Sequence, residues 1–227
     1  MMKFYAAAGS YQLIAENGHK LPYILRLGKL HPISIPEFVV WSSLLWEVMS
    51  YEEARNAYQT IMQGDLKRVP SFDEILVMLT KRKLVVEGSG YTGLDALYQM
   101  LASAYVIPIR TSMKEQRRLA FKLFSQGKIG LRRLIASLHQ ERLDANQCRV
   151  LRLVEQNPLS SAELIRCFDE GITDVSSADR LVESIYPTEE SSQARLQKES
   201  MVSQNATTVL QAVADLYLNR RVILETA

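Results

Sequence analysis

The apolar residues of the first hundred positions recur at three- and four-residue spacing, which predicts a series of amphipathic helices. The first predicted helix starts at Pro36 and carries an apolar face as far as Met49. Capping boxes, in which a serine is followed three residues later by a glutamate, start the next two helices at Ser50 and Ser71, and a third stands at Ser160. The predicted elements after the first helix are a helix from Tyr51 to Met62, a helix beginning at Pro70-Ser71, a strand from Leu84 to Glu87, a turn from Gly88 to Gly90 and a helix from Leu94 to Tyr105.

A β-hairpin is predicted ahead of these helices, between Tyr11 and Leu27. Its two apolar strands flank Asn17-Gly18, a pair that tolerates positive φ at both turn positions. Pro22 lacks an N–H group, so we expect the return strand to be interrupted there and to resume at Tyr23.

The second half of the chain predicts further helices, separated by one polar stretch. That stretch, residues 169–204, is rich in serine and is expected to form a mobile insert. The predicted helices are Met113 to His139 in two pieces, Asn146 to Glu155, Ser161 to Phe168 and Asn205 to Leu218, followed by a closing strand. We therefore predict a domain at 1–112, a helical connector at 113–142 and a second domain at 143–227.

Two helix ends resemble each other, which suggests an internal repeat. Leu79 to Glu87 parallels Tyr217 to Glu225, since in each segment an apolar helix runs into cations and then a short strand. The order of helix, capping-box helix, third helix and strand resembles that of winged-helix regulators over residues 36–92 and, more loosely, 144–227. The predicted fold class is therefore mainly α (α+β), with tandem winged-helix-like modules, an N-terminal β-hairpin and a helical connector.

The winged-helix resemblance implies a DNA-binding transcriptional regulator whose third helix enters the major groove of double-stranded DNA. The net charge of +2 is too small to require a nucleic-acid partner, so any basic surface must be local. Basic pairs occur at several predicted helix ends, where they would contact phosphates if they shared one face. The expected DNA-contacting residues are Lys67, Arg68, Ser71, Lys81, Arg82, Lys83, Arg220 and Arg221.

Two acidic residues, Asp73 and Glu74, stand against that function, because they would repel phosphate at the start of the third helix. The hairpin followed by three helices, over residues 3–87, is also similar to the small peptide-recognition domains of peptide-modifying systems. That resemblance implies a non-enzymatic adaptor, which captures a peptide or protein segment as an added strand against the hairpin edge. A homodimer is left open.

A third hypothesis is dinucleotide binding, because Gly88 to Gly93 matches the G-x-G-x-x-G pattern after a strand and before a helix. Arg110 would then accept a 2′-phosphate. The fold would need several parallel strands, however, and the chain predicts mostly helices after Arg110. We therefore expect the glycines to serve a turn of the wing and expect no cofactor.

The remaining side chains predict no catalytic or metal site. The histidines are scattered, and Cys148 and Cys167 are too far apart for a metal knuckle, so both are expected to be buried free thiols. The apolar fraction of 47% excludes wholesale disorder, yet the longest apolar runs are far shorter than a membrane span. We expect no membrane partner and, since the N-terminus carries no recognisable export signal, a cytoplasmic location.

Overall fold

The chain folds into helices joined to small antiparallel sheets, in a computed structural model that describes residues 1–16, 18–62, 70–102, 104–109, 143–186 and 192–226. Its strands are β1 (Met2–Ala7), β2 (Ser10–Glu16), β3 (His19–Arg26), β4 (Lys29–Pro32), β5 (Met49–Ser50), β6 (Val85–Gly90), β7 (Ala104–Pro108), β8 (Leu159–Ser160) and β9 (Val222–Thr226). Its helices are α1 (Ile35–Ser43), α2 (Tyr51–Ile61), α3 (Phe72–Lys81), α4 (Gly93–Ala102), α5 (Ala145–Gln156), α6 (Ser161–Asp169), α7 (Ala178–Ile185), α8 (Gln193–Met201) and α9 (Ala206–Leu218). The predicted mixture of helix and strand is confirmed. The helices predicted between Met113 and His139 lie outside the described residues.

One order of elements occurs twice. The N-terminal unit, made of β1, α1, β5, α2, α3 and β6, has a sheet in which β1 lies between β5 and β6. The C-terminal unit, made of β7, α5, β8, α6, α9 and β9, has a sheet in which β7 lies between β8 and β9. Among the described residues, the N-terminal unit contains the additional sheet β2-β3-β4, and the C-terminal unit contains the additional helices α7 and α8.

The two third helices, α3 and α9, end in the same backbone turn. Lys83 and Arg220 have φ values of 56° and 57°, and the next residue of each donates its N–H to the carbonyl five residues earlier. This is a Schellman motif, which commonly ends helices with a left-handed residue. The motif makes Lys83 equivalent to Arg220. The predicted repeat, which matches Leu79 to Glu87 with Tyr217 to Glu225, instead places Arg82 opposite Arg220. The predicted repeat was therefore one residue out of register.

The first strand, β1, lies between two cores. Tyr5 and Ala7 belong to the cluster formed with α1, α2 and α3, and Ala6 and Ala8 belong to the cluster formed with α4 and the C-terminal unit. Successive side chains of a strand point to opposite faces, so one short strand can serve both clusters. The two units also meet directly, because Gly9 donates its N–H to the Leu224 carbonyl at 2.7 Å.

Four of the predicted boundaries were wrong. The helix predicted from Leu94 to Tyr105 ends at Ala102, and Tyr105 belongs to β7. The first helix ends at Ser43 instead of near Met49, because the chain turns at Trp46, whose φ is +60°. Pro22 does not interrupt β3, since it lies opposite Leu13 at a position where a strand residue makes no bond to β2. The segment Gly88–Gly90 belongs to β6 instead of a turn, and it pairs with the start of β1.

The polar stretch at 169–204 also differs from the prediction of a mobile insert. It contains α7 and α8, and Val175, Ile185 and Leu196 are buried in the larger core cluster. Apolar residues spaced along a mostly polar segment are therefore enough to hold both helices against the C-terminal unit.

Candidate functional site

The basic residues predicted to contact DNA do not form one cluster. Lys67 and Arg68 lie outside the described residues. The Ser71 hydroxyl is used in capping α3, since it accepts the Glu74 N–H. The Arg82 guanidinium forms an ion pair with Glu37 at 3.0 Å and also donates to the Pro32 carbonyl, so it fastens α3 to α1 and β4.

The two basic helix ends lie at opposite ends of β9. The Lys83 carbonyl accepts a hydrogen bond from the Thr226 hydroxyl at 2.8 Å, at the last residue of β9. Arg220 and Arg221 directly precede the first residue of β9, and the Arg220 guanidinium lies 5.1 Å from the centre of the Trp46 ring. A five-residue strand spans roughly 13 Å or more, so Lys83 and Arg220 occupy separate places on the surface. Lys81 and Lys83 are exposed on the first of these places.

The exposed face of α3 is acidic at its start and apolar in its middle. Asp73 accepts a hydrogen bond from the Tyr51 hydroxyl, and Val77 and Met78 are 51% and 50% exposed. The equivalent helix α9 is mostly buried. These surfaces are a poor match for helices that read base edges, which need polar side chains near the N-terminus of an accessible helix.

The outer strand β2 has one backbone edge with which no other strand of the described residues pairs. Glu16 pairs with His19 across a two-residue turn, which makes them a hydrogen-bonded pair. Bonded and non-bonded pairs alternate along an antiparallel ladder, so the N–H and C=O groups of Tyr11, Leu13 and Ala15 point away from β3. Among the described residues, β2 pairs with β3 alone.

The opposite edge of that sheet, β4, is blocked. Pro32 has no N–H to offer, and its carbonyl already accepts a hydrogen bond from Arg82. Proline and engaged carbonyls are ordinary means of preventing strand addition. The β2 edge contains no proline, and two of its apolar side chains, Tyr11 and Leu13, are 46% and 54% exposed.

A cleft opens at the first residues of β2. It has a volume of about 560 Å³, and residues from both units line it. Its lining includes Tyr11 and Trp46 from the N-terminal unit and Ile107, Pro158 and Ile223 from the C-terminal unit. A volume of this size is ordinary for sites that take small molecules or large side chains.

The side chain of Tyr11 belongs to an aromatic group at this edge. Its ring centre lies 5.6 Å from that of Phe38 and 6.3 Å from that of Trp41, both in edge-on geometry. The Trp41 indole N–H donates to the Ala8 carbonyl at 3.1 Å, so the group is fixed to the chain just before β2. The edge therefore rests on a rigid support.

The first two glycines of the G-x-G-x-x-G match, Gly88 and Gly90, are explained by packing. A Cβ at Gly88 would lie 2.2 Å from the Ala96 carbonyl oxygen, and one at Gly90 would lie 2.5 Å from the Ala96 nitrogen. Helix α4 therefore fills the space against both glycines. Thr92 and Asp95 also cap α4 reciprocally, since each side chain accepts the other residue's N–H.

The most buried ionisable groups are engaged in structure. Glu163 accepts hydrogen bonds from the Ser160 N–H and hydroxyl and, at 2.9 Å, from the Tyr186 hydroxyl. Burial raises the pKa of Cys167 to about 12, so this thiol remains protonated and is a poor nucleophile. Cys148 is only half-buried, unlike the prediction.

The described residues contain neither a metal-binding cluster nor a membrane-spanning helix. No group of three or more His, Cys, Asp or Glu side chains among them could hold a metal ion. No helix in the described ranges has both the length and the apolar character needed to cross a membrane.

The sequence predicts a hairpin whose edge could bind a peptide, but it does not indicate which strand has the unpaired edge. It does not indicate the cleft beside that strand either. The Asn17-Gly18 turn was the available signal, because a two-residue turn determines the pairing register and hence the direction of each backbone group. The cleft joins residues more than two hundred positions apart, so no local pattern indicates it. Comparison with protein families, curated proteins and solved structures returned no match to this chain.

Proposed function

We propose that this chain is a non-enzymatic adaptor with two winged-helix-like units, and that it binds an extended peptide as an added strand on β2. The observation that carries the proposal is the row of outward N–H and C=O groups at Tyr11, Leu13 and Ala15. Strand addition draws its affinity from such main-chain groups and its specificity from neighbouring pockets. The resemblance of residues 3–87 to peptide-recognition domains supports the same function.

The contrast between the two edges of one sheet supports this choice. Exposed edge strands invite unwanted pairing, and natural proteins usually blunt them with proline, charge or cover. Pro32 and Arg82 blunt β4, whereas the edge of β2 is unpaired among the described residues and has Glu16 as its single charge, at the far end. An edge that is left open beside exposed apolar side chains is suited to a partner that covers it.

A peptide of unknown sequence can be found by selection from a displayed library of random 12-residue peptides, using the whole chain as bait. Selected peptides are resynthesised with a single backbone N-methyl group at each position in turn. Strand addition predicts that binding is lost at every second position, because only alternate N–H groups donate to β2. Loss without a period of two would contradict the proposal.

Variants of β2 itself supply the matched controls. Leu13→Pro removes an outward N–H but no bond to β3, so we expect it to abolish peptide binding while the chain stays folded. Leu13→Thr keeps that N–H and should bind within a few-fold of the unchanged chain. Gln12→Pro, one residue away, removes a bond to Tyr23 and should instead destabilise the sheet.

Two other partners, duplex DNA and a second copy of the chain, can be distinguished from a peptide by experiment. A DNA-binding regulator would bind duplex DNA in fluorescence anisotropy with an affinity that falls steeply with salt. It would also lose about one unit of the log–log salt slope for each phosphate-contacting cation among Lys81 and Lys83 that is replaced by Ala. A homodimer joined through two β2 edges would become a monomer in Leu13→Pro, as measured by sedimentation. If the chain binds duplex DNA in this way, or dimerises through β2, and no peptide is selected, the proposal is overturned.

A further inference from the structure

We infer that the cleft beside β2 is an anchor pocket for one large apolar side chain of the bound peptide, with a basic residue next to it. This inference rests on the proposed function, because it places the pocket within the path of the added strand. It specifies the chemical class of the peptide, which strand addition alone leaves open.

The cleft lies at the start of β2, because the strand and the cleft share two residues. Ser10 and Tyr11 begin β2 and also line the cleft. A peptide residue opposite Tyr11 has its side chain on the same face of the sheet as the Tyr11 ring. The next peptide residue on that face lies roughly 7 Å further along, beyond the end of β2. A strand that continues past Tyr11 therefore brings a side chain to the mouth of the cleft.

The lining of the cleft selects an apolar group. Leu45, Trp46, Ile107, Val154 and Ile223 are among its walls. The polar amides that also line it are already engaged with backbone groups. The Gln156 amide donates to the Thr173 carbonyl at 3.1 Å, and the Asn157 amide donates to the Val175 carbonyl.

Glu155 adds a charge preference. It is exposed, and it is the carboxylate among the described residues that line the cleft. A carboxylate at the mouth of an apolar pocket favours a Lys or Arg beside the anchor and disfavours an acidic residue.

Trp46 is held in a conformation that costs energy, which points to a function for its position. Its φ of +60° is uncommon for a bulky residue, and such strain clusters at ligand-binding positions. The neighbouring unit holds it there, because the Trp46 N–H donates to the Tyr217 hydroxyl at 3.0 Å and the Arg220 guanidinium covers its ring. The wall of the pocket is thus built from both units.

A double-mutant cycle tests the pocket with a peptide selected on the whole chain. Replacing the peptide's anchor by Ala should weaken binding roughly 10- to 100-fold, the effect of removing a fully buried large apolar side chain. In Trp46→Ala the same peptide change should cost much less, because the wall is already missing. Met78→Ala, which shortens an exposed apolar side chain on α3, should leave the full effect of the anchor unchanged.

Two measurements avoid reliance on Trp46→Ala, which could alter the fold. Trp41 is fully buried, so acrylamide quenching of the unchanged chain reports Trp46, and the anchored peptide should reduce quenching while its Ala variant should not. Glu155→Lys should reverse the charge preference, so that selected peptides carry Asp or Glu beside the anchor.

The outcomes separate the two proposals. If N-methyl groups abolish binding with a period of two but the anchor and Trp46 effects are additive, the pocket inference is wrong and strand addition stands. If no peptide binds, or binding lacks that period, strand addition fails. Unchanged quenching or an unchanged charge preference in Glu155→Lys likewise overturns the pocket inference.

Discussion

Replacing Gly88 by Ala should destabilise the chain strongly, because α4 packs directly against the backbone of β6. The added Cβ would lie 2.2 Å from the Ala96 carbonyl oxygen and 2.5 Å from the Met100 nitrogen. Both are backbone atoms of α4, so no side-chain rotation relieves the contact. Ordinary contact requires about 3.5 Å, so the helix must move by roughly 1 Å and disturb the core beneath it.

The expected cost follows from the size of that displacement. Overpacking a core by one methyl group costs about 1–3 kcal/mol, and two fixed backbone contacts place Gly88→Ala near the upper value. For a chain of this length, a loss of about 3 kcal/mol lowers the melting temperature by roughly 6–12 °C. Gly93→Ala is the matched control, since its Cβ would come no closer than 3.8 Å to the Phe4 ring. It should leave stability unchanged or raise it by up to about 1 kcal/mol.

Urea unfolding followed by circular dichroism measures both variants. If Gly88→Ala unfolds within about 0.5 kcal/mol of Gly93→Ala, a difference typical of surface substitutions, the close packing of α4 on β6 is refuted. A nucleotide-binding loop gives a different pattern. Gly90→Ala would then abolish binding of nicotinamide or flavin dinucleotides in calorimetric titration while leaving stability intact.

Three further predictions concern the contacts between the two units and the buried ionisable groups. Tyr217→Phe should cost about 1–3 kcal/mol in urea unfolding, because it leaves the Trp46 N–H and the Leu44 carbonyl without their shared hydroxyl. Burial raises the pKa of Glu225 above 4.5, so its contribution favours folding at low pH and is lost as pH rises through the raised value. Glu225→Gln should remove that loss of stability at higher pH. Equal profiles of the free energy of unfolding against pH for the two chains would contradict the prediction. Cys167 should resist a thiol reagent until the chain is unfolded, and rapid labelling of the folded chain at this residue would show that it is accessible.

Local signals in the sequence were reliable because their physics is local. The capping boxes at Ser50, Ser71 and Ser160 all form, with the serine side chain accepting one N–H and the glutamate side chain accepting another. A hydrogen bond within four residues does not depend on the rest of the fold. The same holds for the predicted hairpin, since β2 pairs with β3 and Glu16 lies opposite His19.

Pairing between distant segments could not be predicted in the same way. Strand β1 was not among the elements predicted from the sequence, yet it is the central strand of its sheet and touches both cores. Strand β7 pairs with β9, more than a hundred residues away, and Pro108 is accepted at its last position opposite Val222. The predicted division into domains at 112 and 143 stays a prediction, although β7 lies before that boundary and pairs beyond it.

The basic helix ends show why the candidate site was the hardest part to predict. Cations near a helix C-terminus are favoured by the helix dipole whether or not a phosphate is present. Lys83 and Arg220 in addition occupy the left-handed position of a Schellman motif, and Arg82 holds three elements together. Helix termination and packing therefore account for the pattern that suggested DNA. An open strand edge, by contrast, consists of backbone groups common to every residue, so its presence in β2 becomes visible only when the neighbouring strands are in place.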